Sequence, residues 1–200
     1  GLASFNGGLY AVGGCGNLDF KDAFSSVEVF DGTSWRAGSN LTTGRSYFGL
    51  ASYNGSLYVA GGIESDSVEV FDGTSWRTAG TLTTWRVDPG LASYTLPSGE
   101  TLLYAVGGES SGVPLDSVEV FDGASWSTLE TSLTTPRLDL GLASYGDLLY
   151  AAGGSASNST SGSFTLFKSV EVFNGTSWSA GPDLPGTRYA LGLAVYSFSG

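Results

Sequence analysis

The chain has 200 residues, 41 % of them apolar and 13 % aromatic, which is enough to bury a core and excludes a disordered tail. Its formal net charge of -11 excludes a nucleic-acid or anionic-membrane surface, because neutralising phosphate needs clustered Lys and Arg and the only lysines are Lys21 and Lys168. No apolar run approaches the ~20 residues that span a bilayer, and the chain opens inside a repeat, so nothing can be read from the lack of a leader at Gly1.

Residues 1–5, Gly-Leu-Ala-Ser-Phe, read as a first strand, A. Residues 9–14, Leu-Tyr-Ala-Val-Gly-Gly, read as a second, B, a short apolar run suited to burial on both faces. Cys15 follows. A single cysteine cannot form an internal disulfide, so it reads as an inert structural thiol and leaves the redox compartment undecided. Residues 26–30, Ser-Val-Glu-Val-Phe, alternate as a pleated strand requires and form C. Asp31-Gly32 suits a turn with positive φ, and Trp35 then opens D. Arg45 lies in the connection that follows.

The same order returns three times. The A phrase recurs at 49–53, 90–94 and 141–145, and again as Gly-Leu-Ala-Val-Tyr at 192–196. The C phrase recurs at 67–71, 117–121 and 169–173. The tryptophans Trp35, Trp76, Trp126 and Trp178 stand 41, 50 and 52 residues apart. Four-stranded sheets repeated at this period imply a β-propeller, since one such sheet exposes both faces and only packing around an axis buries them. The expected fold is therefore all-β, with antiparallel four-stranded blades at about 1–40, 41–81, 82–131 and 132–183 and a spare A strand within 188–200. The Gly-Gly pair should allow close backbone approach near the centre, and each Trp should wedge between neighbouring sheets.

These residues resemble the kelch-repeat family. Its hallmarks are a double glycine after an aromatic-containing strand, then an aromatic, a Trp, and an Arg that opens the next blade. They stand here as Tyr10/Gly13/Gly14/Phe30/Trp35, Tyr58/Gly61/Gly62/Phe71/Trp76, Tyr104/Gly107/Gly108/Phe121/Trp126 and Tyr150/Gly153/Gly154/Phe173/Trp178. The resemblance covers essentially the whole chain and implies a ring of five to seven blades, so these repeats are either part of such a ring, the favoured reading, or four blades that close with one A strand spare. It implies little about function, because such propellers serve unrelated roles.

A residue present in every copy most simply serves the blade. By that rule Glu28, Glu69, Glu119 and Glu171, and Arg45, Arg86, Arg137 and Arg188, are structural and pair once per blade. An enzyme is not expected. The chain has no His, which removes a Ser-His-Asp triad and imidazole metal ligation. No catalytic residue, metal or cofactor is implied. The loop acids, among them Glu109 and Asp116, match no calcium-loop spacing. Variation concentrates in the loops after Gly-Gly, at 15–25, 63–66, 109–116 and 155–168, which should crowd one face. There Phe20, Phe24, Phe164 and Phe167 are candidate contact residues.

Asn40, Asn54, Asn158 and Asn174 each begin a glycosylation sequon. Asn158, in a Ser/Gly/Thr-rich loop, is the best acceptor and Asn40 the next. Asn54 and Asn174 have a sufficient explanation as turn residues. The reading is a non-catalytic binding or assembly scaffold, extracellular and glycosylated, that contacts a protein or carbohydrate or self-associates through the spare strand. The alternatives are an intracellular peptide-binding adaptor and the accessory propeller of a larger oxidase or glycosidase.

Overall fold

A computed structural model describes residues 1–16, 22–158 and 163–193. Four consecutive sheets, each of four antiparallel strands, carry the repeats. The first holds β1 (Leu2–Phe5), β2 (Gly8–Val12), β3 (Val27–Phe30) and β4 (Trp35–Ala37). The second holds β5 (Gly49–Tyr53), β6 (Ser56–Ala60), β7 (Ser67–Phe71) and β8 (Trp76–Thr81). In the third, β9 (Gly90–Thr95) and β10 (Thr101–Val106) are followed by a small hairpin, β11 (Glu109–Ser110) with β12 (Val113–Pro114), before β13 (Val118–Phe121) and β14 (Trp126–Thr128). The fourth repeats that plan. After β15 (Gly141–Tyr145) and β16 (Leu148–Ala152) comes the hairpin of β17 (Ser155–Asn158) and β18 (Ser163–Leu166), then β19 (Val170–Phe173) and β20 (Trp178–Ala180). Each sheet is one blade, with strands in the order A-B-C-D.

The repeated phrases pair in the same register in each blade. Tyr10 faces Val29, Tyr58 faces Val70, Tyr104 faces Val120 and Tyr150 faces Val172. The core lies between blades. Phe5 and Tyr10 of blade 1 meet Phe71 of blade 2, which packs on Trp76 at 5.2 Å. Tyr53 and Tyr58 meet Phe121, with Trp126 beside it. Tyr94 and Tyr104 meet Phe173, with Trp178 beside it. Each joint thus packs four rings together, and edge-to-face ring pairs add about 0.5–1.5 kcal/mol each beyond their area. Trp76, Trp126 and Trp178 are buried, whereas Trp35, on the outer face of blade 1, is 48 % exposed.

The inner strands converge so closely that glycine opens each one. A Cβ at Gly49 would meet the Leu91 side chain at 2.5 Å, and one at Gly90 would meet Leu142 at 2.8 Å. At Gly141 it would meet Leu193 at 2.5 Å. Leu193 therefore packs on blade 4 as Leu91 and Leu142 pack on blades 2 and 3, although residues 191–193 carry no strand. The rest of the fifth A phrase, 194–200, lies outside the described residues.

Candidate functional site: the axial cavity and loop face

The arginine in each connection ties two blades together. The Arg45 carbonyl accepts from Gly14 N of blade 1 at 2.7 Å, while its guanidinium donates to Gly61 O, Ser67 O and Glu69 of blade 2. Arg86 joins blades 2 and 3 through Gly62 N, Gly107 O, Ser117 O and Glu119. Arg137 joins blades 3 and 4 through Gly108 N, Gly153 O, Ser169 O and Glu171. The ion pairs are 2.8–2.9 Å long, with all six side chains at most 3 % exposed. Buried charges survive only when paired and hydrogen-bonded. Here the carboxylates also receive backbone amides, Thr42 N for Glu69 and Thr134 N for Glu171. Glu28 and Arg188 are exposed.

These ties fix the D-to-A connections around the axis. Two residues after each arginine the backbone turns left-handed, at Tyr47, Asp88, Asp139 and Ala190, with φ between 50° and 59°. Asp88 N donates to Tyr47 O at 2.8 Å and Asp139 N to Asp88 O at 3.3 Å, so the connections form a spiral. All four residues line a cavity of about 360 Å³ at its centre. The Asp88 and Asp139 carboxyls hydrogen-bond to each other there. Burial, followed by the Asp139 charge and this hydrogen bond, pushes Asp88 up to about 8. Burial also raises Asp139, and Glu109 adds to the rise of both. Sequence reasoning missed this pair. The signal was available: the position two after each Arg changes from Tyr to Asp, Asp and Ala, breaking the repeat that surrounds it.

A second cavity, about 460 Å³, opens beside the first. It is lined by Asp139, Ser155, Phe164, Leu166 and Tyr189. Phe164 and Leu166 stand on β18 and are 67 % and 41 % exposed, and Tyr189 is 57 % exposed.

The other loop aromatics lie differently. Phe20 lies outside the described residues. Phe24 N donates to Gly14 O, and its carbonyl accepts from Arg45 N. Phe167 makes the same two bonds with Gly154 and Arg188, and its ring sits 5.2 Å from the Arg137 guanidinium. Both backbones therefore belong to the repeat. Asn40 and Asn54 are exposed. Asn54 occupies a left-handed hairpin turn with Gly55. Asn174 is exposed and accepts from Thr176 N and Ser177 N, as Asp31, Asp72 and Asp122 do in the other blades. The backbone of Asn158 ends β17.

Among the described residues no helix is long and apolar enough to cross a membrane. The kelch motif matches residues 1–42 and 91–131. No curated protein matches the chain. Among solved structures, that of YjhT aligns over 96 % of this chain and 72 % of its own, with a TM-score of 0.78 at 17 % identity. That likeness is one of fold. The chain thus carries kelch motifs in the first and third of its four in-register repeats, and its four four-stranded antiparallel sheets are the blades of a β-propeller fold.

Proposed function

We propose that this chain is a non-catalytic binding scaffold, secreted and glycosylated, which holds a protein or carbohydrate partner on the face formed by its B–C loops. The cavity of about 460 Å³ lined by Phe164, Leu166 and Tyr189 carries the reading. Clustered exposed apolar groups are unusual on a protein surface unless they meet something, and aromatic faces beside a carboxyl suit both peptide and sugar contacts. The blades supply the rigidity and the loops supply the variation. A kelch-motif chain is commonly an interaction module, which agrees with this assignment.

The secreted part of the proposal rests on the Asn158 and Asn40 sequons and on the acidic, lysine-poor composition. Expression through a eukaryotic secretory pathway tests it. Intact mass should show glycans at Asn158 and Asn40, each removed by Asn→Gln and by an N-glycanase. Full-length secreted protein with both asparagines unmodified contradicts the glycosylated reading. For the loop face, Phe164→Ala with Tyr189→Ala should abolish partner binding while leaving the thermal midpoint within about 2 °C, as expected for exposed positions.

A further inference from the structure

The two end blades each carry half of a joint that the chain completes three times between them. At each internal joint, the ring residues of the A and B strands and the connection arginine of one blade meet the C-strand Glu and Phe and the D-strand Trp of the next. There Glu69, Glu119 and Glu171 are at most 3 % exposed, and Trp76, Trp126 and Trp178 at most 9 %. On blade 1 the same positions lie open. Glu28 is exposed and Trp35 is 48 % exposed, although Phe30 already packs on Trp35 at 5.4 Å as Phe71 packs on Trp76. On blade 4 the opposite half lies open. Tyr145 is 69 % exposed, where Phe5, Tyr53 and Tyr94 are at most 6 % exposed. The Arg188 carbonyl accepts from Gly154 N at 2.7 Å, as the other three arginines accept from Gly14, Gly62 and Gly108. Its guanidinium donates to Thr187 O, where theirs cross to the next blade.

We propose that these halves join between molecules: blade 4 of one copy of this chain packs on blade 1 of a second copy, remaking the joint found three times within each. Complementarity selects that occupant. One half presents an arginine and two tyrosines, the other a carboxylate, a Phe and a Trp, and a second copy supplies both. Gly13 O and Ser26 O, the equivalents of Gly61 O and Ser67 O, complete with Glu28 the acceptor set that Arg188 requires. The contact is head-to-tail, so copies close into a ring where the rotation permits and add in a row where it does not. Two features make this joint weaker than the internal ones. Pro185 stands where Thr42, Thr83 and Thr134 donate an amide to the glutamate, and it has no N–H to give. Leu193 covers Gly141, the place that Leu2 of the incoming blade would take, as Leu50, Leu91 and Leu142 cover Gly1, Gly49 and Gly90. Leu2 is 61 % exposed, and residues 191–193 must yield for it to dock. The association is therefore reversible, and it does not depend on the loop-face reading.

Sedimentation velocity of the whole chain over a dilution series tests this. The chain should run as an assembly of two or more copies that dissociates on dilution. Trp35→Ala with Glu28→Gln removes the blade 1 half, and Tyr145→Ala with Arg188→Met removes the blade 4 half. All four side chains are exposed in the single copy, so both variants should keep the far-ultraviolet dichroism of the parent. Each variant alone should associate at least about thirtyfold more weakly, the loss expected for a central aromatic anchor. An equimolar mixture of the two should nevertheless form a one-to-one complex, because one intact joint remains between them. Leu193→Ser should tighten association of the parent several-fold, and Phe164→Ala should leave it unchanged. The proposal is overturned if the parent stays monomeric at about 100 µM, if either double variant associates as the parent does, if the mixture stays monomeric, if Leu193→Ser weakens association, or if blades joined covalently to this chain cover Trp35 and Tyr145 within one copy.

Discussion

Replacing Arg86 by Met should destabilise the protein more than any other single arginine-to-methionine change outside the other two blade joints. The Arg86 and Glu119 side chains are both fully buried, 2.9 Å apart. Arg86 also donates to Gly107 O at 2.8 Å, to Ser117 O at 2.9 Å and to Ser117 Oγ at 2.9 Å. Methionine has a similar length and keeps the apolar contacts, but it leaves Glu119 with only the amides of Thr83 and Thr84. Removing one partner of a buried pair costs about 3–5 kcal/mol, because the other charge stays behind without compensation. Against a typical total of about 5–15 kcal/mol that is a large share. At about 2–4 °C per kcal/mol for a chain of this size, the midpoint should fall by roughly 6–20 °C. Urea and thermal unfolding followed by tryptophan fluorescence would read it, since buried Trp126 lies in the joint that Arg86 ties and buried Trp76 in the joint before it. Arg188→Met is the control: that side chain is exposed and, among the described residues, donates to Thr187 O, so its loss should cost under about 0.5 kcal/mol. Adding Glu119→Gln to Arg86→Met should recover part of the loss by removing the orphaned charge. Equal midpoints for Arg86→Met and Arg188→Met would refute the view that the arginines hold the blades together.

Three further outcomes follow from the same structure. Gly61→Ala should cost about 2–4 kcal/mol, because its φ of +73° is left-handed and the new Cβ would overlap Arg86 O, whereas Gly55→Ala, at φ +71° with open space around it, should cost only about 1 kcal/mol; chemical unfolding separates them. Raised folded-state values for Asp88 and Asp139 mean that the native chain holds protons the unfolded chain has lost, so this contribution is complete below about pH 4 and is lost as pH rises towards about 8; Asp88→Asn should flatten the decline in midpoint between pH 5 and pH 9. At the opposite face Asp31, Asp72 and Asp122 are lowered, chiefly by backbone amides two and three residues on, so their contribution has the opposite sign and is lost in acid; Asp72→Ala should weaken the acid dependence of the midpoint and leave the alkaline side unchanged.

Much of this fold was legible in the sequence because a repeat states each rule four times. Alternation in Ser-Val-Glu-Val-Phe marked a strand, and Asp-Gly marked a turn. Tyr, Phe and Trp recurring in register marked a joint whose partners lie in the next copy. The glycine that opens each A strand has a cause the local sequence could not supply, the Leu side chain of the following blade over Gly49, Gly90 and Gly141. The hairpins β11–β12 and β17–β18 were not anticipated, since short polar strands within a Ser/Gly-rich loop lack alternation. Ser111 and Gly112, both at positive φ, close the first of them. The backbones of Phe24 and Phe167 bridge Gly-Gly and the arginine connection, a repeated role that their place in variable loops did not reveal. The carboxyl pair was hidden for another reason. Asp88 and Asp139 are 51 residues apart in sequence, and only the spiral of connections about the axis brings them together.

The proposal of a binding scaffold is tested most directly by photo-crosslinking in the fluid bathing the cells that make the protein. A benzophenone side chain would be placed either at position 164, on β18 beside the loop-face cavity, or at position 74, in the Asp72-Gly73 turn of the opposite face. The account predicts a discrete adduct of defined mass from position 164 and none from position 74. Adducts from position 74 alone, or from neither position, contradict it.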